Sequence, residues 1–296
     1  MNTGPAGAVM REAIFTAQDI KKTYENVDDL LVTKRIIQKY STNRVDIRER
    51  ALENLDLSFV REALDLGSGY GFFIEILGGR LRSDARITGL DLASGNEAAY
   101  RKTVSSLNYE ASFISGPADQ IRGMADGSFD LIIASYSLYF FPHLMGEIHR
   151  LLARGGIFIA VTHSSDALGE AIGFVRSCMR RMGLPAPAHT ALGRLLAAFS
   201  LENGRSLLGA YFKSIEKISY RNSMVFGPEH VDDCIYYLEK KRNLIYKEAL
   251  ENHAERVTDL ESCISASIFK HARERGRVVI NKDDGIFICR KDGRVH

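Results

Sequence analysis

Residues 63–73 read ALDLGSGYGFF, a short apolar segment that runs directly into three glycines at alternate positions. Glycine permits a positive φ and the close approach of a ligand, so this pattern predicts a β-strand and a tight turn beneath a nucleotide-like molecule. A dinucleotide fingerprint requires G-x-G-x-x-G, whereas Phe72 stands where its third glycine would be. A P-loop requires a lysine after its last glycine, and none follows here. The spacing therefore argues against both phosphate-binding loops.

Acidic residues at three predicted strand ends indicate the charge of the ligand. The carboxylate of Asp65, inside the motif, would repel a pyrophosphate and attract an amine or a sulfonium. Asp91 ends the next apolar segment, where it can accept both ribose hydroxyls or, alternatively, complement the dipole of a following helix. Asp119 follows a third segment, where it can meet an adenine edge. Together these positions predict one binding track for a positively charged nucleoside.

From about residue 60, short apolar runs alternate with amphipathic segments, which is typical of a parallel sheet with helices on both faces. We predict strands at 63–66, 87–90, 111–114, 129–134, 157–161 and 215–220, and a closing hairpin of 278–280 and 286–289. Helical spacing appears over 16–56, 228–248 and 252–274. A further helix, containing Leu144 and Ile148, should end at Gly155-Gly156 with a left-handed C-cap.

These patterns divide the chain into three parts. We expect an N-terminal helical lid (1–58), an α/β core that binds the nucleoside (59–163), and a helical cap with the last strands of the sheet (164–296). The lid and the cap are too long to be simple crossovers, so we expect them to cover the ligand cleft.

The composition excludes several classes of protein. Hydrophobic residues make up 45% of the 296 residues and charged residues 26%, which is enough for a sizeable core. With 39 Lys and Arg against 37 Asp and Glu, the chain lacks the charge excess that favours nucleic acid. The four cysteines are far apart, which argues against a metal or redox motif. We find no apolar run long enough for a membrane span and no signal peptide in the first fifteen residues, so we expect a cytoplasmic protein.

Four segments of the chain resemble the class I S-adenosylmethionine-dependent methyltransferases, and most closely their small-molecule branch, the type 11 or ubiquinone/menaquinone-biosynthesis-like enzymes. The segments are 64–71, 89–91, 128–132 and 147–156, in the order and spacing of that family. The resemblance implies an α/β, Rossmann-like, doubly wound sheet of seven strands with an antiparallel last strand, and a helical cap. It also implies S-adenosyl-L-methionine as the cofactor.

The resemblance also assigns the cofactor-binding residues. Gly67 and Gly69 would lie against the methionine part, Asp91 on the ribose, Ala118 and Asp119 beside the adenine, and Ser135 near the sulfonium. The remaining members of the set are Asp65, Ser68, Gly71 and Leu92. This chain has Ser68 where the family often has Cys, and Pro117 where it often has the adenine-facing Asp.

Methyl transfer from a sulfonium produces a neutral leaving group, so the enzyme mainly has to align a nucleophile, exclude water and, where required, accept a proton. Three residues at strand ends are candidates for this last role: Tyr139, His143 and His163. The alternative is that the two histidines are loop residues with ordinary polar contacts and that Tyr139 belongs to the core.

We therefore predict a methyltransferase that acts on O, N or C of a small-molecule acceptor. A non-catalytic S-adenosylmethionine-binding regulatory module and a methyltransferase acting on RNA or protein are the alternatives. The sequence Ser135-Tyr136-Ser137-Leu138 lacks the Asn/Asp-Pro-Pro-aromatic motif of base-amine methyltransferases, which argues against a nucleic acid substrate. The oligomeric state, including a homodimer, stays open.

Overall fold

The computed structural model describes residues 14–292. Most of the stretch that bears on a signal peptide, and the first part of the predicted lid, lie outside these residues. The strands are β1 (Glu62–Leu66), β2 (Arg86–Asp91), β3 (Glu110–Ser115), β4 (Phe129–Ser135), β5 (Leu152–His163), β6 (Ser214–Tyr220), β7 (Ser223–Phe226), β8 (Val278–Asn281) and β9 (Asp284–Arg290).

The helices are α1 (Ala17–Tyr24), α2 (Val27–Tyr40), α3 (Ile47–Leu52), α4 (Glu97–Ser106), α5 (Met145–Leu151), α6 (Gly169–Arg181), α7 (Ala191–Ala198), α8 (Gly204–Leu208), α9 (Val231–Lys240), α10 (Arg242–Ile245), α11 (Lys247–Asn252) and α12 (Val257–Arg275). Within residues 14–292, no helix has the length and apolar content that crossing a bilayer requires.

Seven strands form one sheet in the order β3-β2-β1-β4-β5-β9-β6. Strands β1 to β5 are parallel, and β9 inserts antiparallel between β5 and β6. This arrangement confirms the predicted doubly wound fold with an antiparallel last strand. The strand order reverses between β1 and β4, which is where sheets of this kind bind ligands, at the carboxyl ends of the strands.

The central strands are buried on both faces, which explains their continuous apolar runs. Leu64 and Ile132 point into one hydrophobic cluster, and Ala63 and Leu131 point into the other. Two of the crossovers lack the α-helix that we expected. The connections after β1 and β3 contain the 3-10 turns Ile74–Ile76 and Ala118–Gly123 in place of α-helices.

The predicted N-terminal helical stretch is three helices, because side chains cap each new start. Thr16 forms a capping box with Asp19 at α1, Asn26 caps α2 and Asp46 caps α3. Helix α1 packs against α10, and α2 packs against α9 and β7. Helices α1 and α2 therefore lie on the cap, whereas α3 packs against the sheet.

The predicted closing hairpin is wrong. β8 pairs with β7, a strand that we did not predict, in a separate two-stranded sheet, while β9 enters the main sheet. The backbone groups at the turn bond elsewhere: Ser164 donates its N–H to the Asp283 carbonyl, and Lys282 donates its N–H to the Asn222 carbonyl. The turn therefore passes the chain from one sheet to the other.

The predicted C-cap at Gly155-Gly156 is also wrong. Helix α5 ends at Leu151, because Leu152 is already extended and pairs with Phe129 of β4. Gly155 does have a positive φ of 80°, but it lies inside β5 and donates its N–H to the Lys291 carbonyl.

Candidate active site

A cavity of about 720 Å³ opens at the carboxyl edge of the sheet, where the strand order reverses. This volume is typical of a small-molecule site. Its floor comes from the ends of β1 to β5, and its roof comes from the helices packed above them. The roof residues are Ala17, Ile20 and Tyr24 of α1, Leu30, Thr33, Lys34, Ile37 and Gln38 of α2, Leu192, Leu195 and Leu196 of α7, Tyr237 of α9 and Leu244 of α10.

The three glycines after β1 have distinct roles, although all have positive φ, at 70°, 50° and 89° for Gly67, Gly69 and Gly71. A Cβ on Gly67 would lie 2.4 Å from Cβ of Ser137, so Gly67 allows the ends of β1 and β4 to approach closely. A Cβ on Gly69 meets no atom within 4 Å, and Gly69 lines the cavity. Gly71 packs against Thr103 and is not part of the cavity lining among the described residues.

This difference predicts unequal effects for the same substitution at the first two glycines. Both Gly67→Ala and Gly69→Ala place a side chain at positive φ, but only the first brings its Cβ into overlap with a neighbouring atom, Cβ of Ser137. We expect Gly67→Ala to lower the free energy of unfolding by about 1–3 kcal/mol more than Gly69→Ala, because overpacking adds to the strain. Urea denaturation of both variants measures this difference, and equal losses would contradict it.

The glycine turn after β1 forms one corner of the cavity, which we call the glycine corner. Buried polar atoms without hydrogen-bond partners lie around it. Within residues 14–292, Asp65 Oδ2, Ser68 Oγ and Ser135 Oγ are buried and have no hydrogen-bond partner, and all three residues line the cavity. Burial, and then the charge of Asp91, raises the pKa of Asp65 to about 8. Unsatisfied buried polar atoms are costly, so this corner is built to receive donors from a ligand. Two neighbouring carboxyl groups favour a cation over a phosphate.

The raised pKa of Asp65 predicts that ligand binding releases protons. At pH 7 this carboxyl is mostly protonated, and a cationic ligand beside it stabilises the ionised form. We expect binding of S-adenosylmethionine to release up to about one proton in the wild type and none in Asp65→Asn. Calorimetry at pH 7 in buffers of different ionisation enthalpy measures the number of protons, with the exposed Asp56→Asn as the control.

The Asp65 carboxyl also makes the free energy of unfolding depend on pH. Its pKa in the folded state lies above the ordinary value of 3.8, so the folded state binds more protons than the unfolded state between pH 4 and 8. The free energy of unfolding should therefore fall with rising pH across this window in the wild type, and less steeply in Asp65→Asn. Equal slopes and equal proton release in the two proteins would show that Asp65 does not titrate there.

Asp91 supports the glycine turn directly. Its Oδ2 accepts the Gly69 N–H at 2.8 Å, and its Oδ1 accepts the Ala93 N–H at 2.8 Å and the Asn96 amide at 3.4 Å. The carboxylate also lines the cavity beside Leu92. A carboxylate has about four acceptor positions, so Asp91 can hold the turn and still accept a bond from a ligand.

Asp119 and His143 lie together at the rim of the cavity. His143 Nε2 is 3.2 Å from Asp119 Oδ1, which also accepts from Arg122 Nε at 3.2 Å. About half of each side chain in the His143–Asp119 pair is exposed. Ala118 lines the cavity beside them. His143 is therefore far more solvated than the other two candidate bases.

His163 belongs to a buried polar cluster at the end of β5. Its Nδ1 lies 2.7 Å from Asp284 Oδ1, and Tyr136 donates its hydroxyl to Asp284 Oδ2 at 2.8 Å. The ammonium group of Lys282 lies 2.9 and 3.1 Å from the two oxygens of Asp284 and 3.3 Å from His163 Nδ1. All four residues line the cavity.

The charges and burial of the cluster determine the protonation state and the tautomer of His163. Burial opposes the charge on Asp284, but Lys282 and His163 hold the pKa of Asp284 below its ordinary value. Burial, and then Lys282, lower the pKa of His163. A neutral His163 at 2.7 Å from an ionised carboxylate must carry its proton on Nδ1, so Nε2 keeps a lone pair.

Sheet register explains why these residues meet. His163 and Asp284 are directly opposite each other in the β5–β9 pairing. Tyr136 follows β4 and has a positive φ of 55°, a conformation that costs about 1–2 kcal/mol for a non-glycine residue. Sequence reasoning missed Asp284 and Lys282. The signal that could have found them is the inserted antiparallel strand, since it begins beside the end of β5.

Aromatic side chains enclose the region around His163. Tyr139 is buried and stacks on His163 with ring centres 5.9 Å apart, and Tyr136 lies 4.6 Å from the same ring. Burial raises the pKa of Tyr139 and, to about 12, that of Tyr24, and these two hydroxyls interact. We call this part of the cavity the chamber; its walls are Tyr24, Tyr136, Tyr139, His163, Leu192, Leu195, Tyr237, Lys241, Lys282 and Asp284.

Across residues 14–292, no three His, Cys, Asp or Glu side chains are grouped so as to hold a metal ion. The four cysteines are free thiols.

Comparison with known proteins gives one family and a common fold. Residues 64–160 match the family described as "Methyltransferase domain", about a third of the chain. No curated protein sequence matches the chain significantly.

Several solved structures share the fold. The YcgJ protein from Bacillus subtilis and a putative methyltransferase from Bacillus halodurans are each 14% identical to this chain, with a TM-score of 0.50, over 83% of this chain and 98% of theirs. A Haemonchus contortus phosphoethanolamine N-methyltransferase, solved with phosphomonomethylethanolamine and S-adenosylhomocysteine, is 13% identical with a TM-score of 0.51. The similarity covers 94% of this chain and 60% of that enzyme.

Proposed function

We propose that this chain, whose residues 64–160 match a methyltransferase domain, transfers the methyl group of S-adenosylmethionine to a small-molecule acceptor held in the chamber. The observation that carries this proposal is the single cavity in which the acidic glycine corner and the aromatic chamber are continuous.

The residues of the glycine corner fit the cofactor. The unpartnered oxygens of Asp65, Ser68 and Ser135 offer acceptors to its cationic part, and Asp91 offers an acceptor to its ribose. Leu92 and Ala118 supply apolar surface for the base. When bound, S-adenosylmethionine supplies an electrophilic methyl group on a positively charged sulfur.

The residues of the chamber would prepare the acceptor. We assign His163 as the general base, because its Nε2 keeps a lone pair while Asp284 holds Nδ1. Asp284 is a positioning residue, since it fixes the tautomer and the ring plane of His163. The rings of Tyr139 and Tyr136 both contact the imidazole ring of His163 and restrict its orientation. The surrounding apolar walls exclude water, which would otherwise compete as a nucleophile.

A roof made of five helices favours a small acceptor over RNA or a folded protein. Helices α1, α2, α7, α9 and α10 each contribute side chains to the cavity wall, so a bulky substrate has to displace them. We infer that the described part of the predicted lid, residues 14–58, covers the cofactor and that the cap closes over the acceptor.

The test is to purify the protein, extract any bound nucleoside and screen a panel of small O-, N- and C-nucleophiles with labelled S-adenosylmethionine. Label transferred to a small molecule, and lost in His163→Gln, supports the proposal. Tight binding without turnover on any acceptor class would instead favour a regulatory module, and label transferred only to RNA or protein would exclude the small-molecule assignment.

A further inference from the structure

The charges of the chamber do not balance. Lys282 is neutralised by Asp284 through contacts of 2.9 and 3.1 Å, and His163 is neutral. Tyr24, Tyr136, Tyr139 and Tyr237 all have raised pKa values, so their hydroxyls stay protonated. Lys241 is therefore the surplus positive charge of the chamber.

Lys241 lacks a carboxylate partner. It is half-buried where α9 ends, and no acidic side chain in the described part of the chain lies within ion-pair distance of its Nζ. Asp29, a carboxylate whose charge raises the pKa of Lys241, is paired with Lys240 at 2.7 Å. The closest compensation is the Tyr24 ring, whose centre lies 5.1 Å from Lys241 Nζ. A cation–π contact offsets only part of the free energy that is needed to remove an ammonium group from water.

Burial, and then the charge of Lys282, lower the pKa of Lys241 to about 8. The chamber thus holds a partly desolvated ammonium group that an anion would stabilise. Because there is one surplus positive charge, a monoanion matches it and a dianionic phosphate does not. The leucines of α7 and the tyrosines that line the same cavity as Lys241 offer apolar surface to the rest of such a molecule.

We propose that Lys241 selects the acceptor, and that the acceptor is a largely apolar monoanion, most simply an aromatic carboxylic acid whose carboxylate pairs with the Lys241 ammonium group. This assignment rests on the proposed function, since it places the acid group on Lys241 and the nucleophile of the same molecule toward His163. Lys241 is then a specificity residue and takes no part in the proton transfer.

The experiment separates recognition from turnover. With S-adenosylhomocysteine present to fill the glycine corner, we would measure the thermal shift and the affinity produced by benzoate and by benzamide, and likewise by cinnamate and cinnamamide. We expect each acid to bind better than its amide in the wild type. We expect Lys241→Met to remove that preference and to weaken acid binding by about 10- to 150-fold, the range for a charge-assisted hydrogen bond.

Lys240→Met is the matched control, because Lys240 is adjacent, pairs with Asp29 and lies outside the cavity lining. It should retain the preference for acids. Turnover is measured in parallel with hydroxybenzoates and their methyl esters. Acid binding that depends on Lys241 without any methyl transfer would support the anion site and contradict the proposed function. Equal binding of acid and amide, or unchanged acid binding in Lys241→Met, would overturn the assignment of Lys241.

Discussion

His163→Gln should lower kcat for methyl transfer by about 100- to 10,000-fold on an acceptor that must lose a proton, which is the usual contribution of a general base. Glutamine retains an amide that can donate to Asp284 Oδ1, so the buried carboxylate keeps a partner. The substitution therefore removes the lone pair of Nε2 while preserving most of the packing. Single-turnover kinetics with saturating cofactor measure the chemical step.

The pH dependence adds an independent check on His163. The base acts only when neutral, and its pKa lies below the ordinary value of 6.5. The rate in the wild type should therefore fall as the pH drops through a value below 6.5, and this acid limb should disappear from the residual rate of His163→Gln. His189→Gln, an exposed histidine outside the cavity lining, is the control. A variant with a wild-type rate and profile would remove His163 from the mechanism.

Asp91→Ala should weaken binding of S-adenosylhomocysteine by about 10- to 150-fold, equivalent to about 1.5–3 kcal/mol for a charge-assisted hydrogen bond. Two losses should contribute: the acceptor that we propose for the ribose, and the support that Asp91 gives to the N–H groups of Gly69 and Ala93. Titration calorimetry measures the affinity, and circular dichroism establishes that the variant is folded.

Comparison of two variants separates those losses. Asp91→Asn keeps a carbonyl oxygen that can accept one backbone N–H, so it should bind more tightly than Asp91→Ala and less tightly than the wild type. Asp84→Ala, an exposed acid paired with Arg61 and Arg82, should bind normally. An affinity for Asp91→Ala equal to that of the wild type would refute the assignment of the ribose to this carboxylate.

The parts of the site that the sequence predicted correctly are those whose signals are local. The strand ending at Leu66, its glycine turn and the acid at Asp91 are read from short runs of neighbouring residues, and the structure brings them to one edge of the sheet. Their roles toward the cofactor stay predictions. Gly71 shows that such a pattern does not identify ligand contacts by itself. A glycine is needed at this position because the backbone packs against Thr103, and Gly71 does not line the cavity.

The parts that were missed depend on pairing between distant residues. His163 and Asp284 are separated by 121 positions, and only the register of β5 with β9 places them in contact. The residues around 283–285 look like an ordinary hairpin turn, since nothing local shows that β8 and β9 belong to different sheets. Lys241 was missed for a similar reason, because its place in the chamber depends on how α9 and α10 pack over the sheet.

The insertion of β9 between β5 and β6 has a consequence for biosynthesis. A nascent polypeptide emerges from the ribosome N-terminus first, so the glycine corner can assemble while β5 still presents a bare row of amide and carbonyl groups. Until β9 arrives, that row is open to pairing with any other extended strand, which is a hazard for aggregation. During the same interval the imidazole of His163 has no carboxylate to orient it, so the glycine corner of the cavity is completed before the part that surrounds His163.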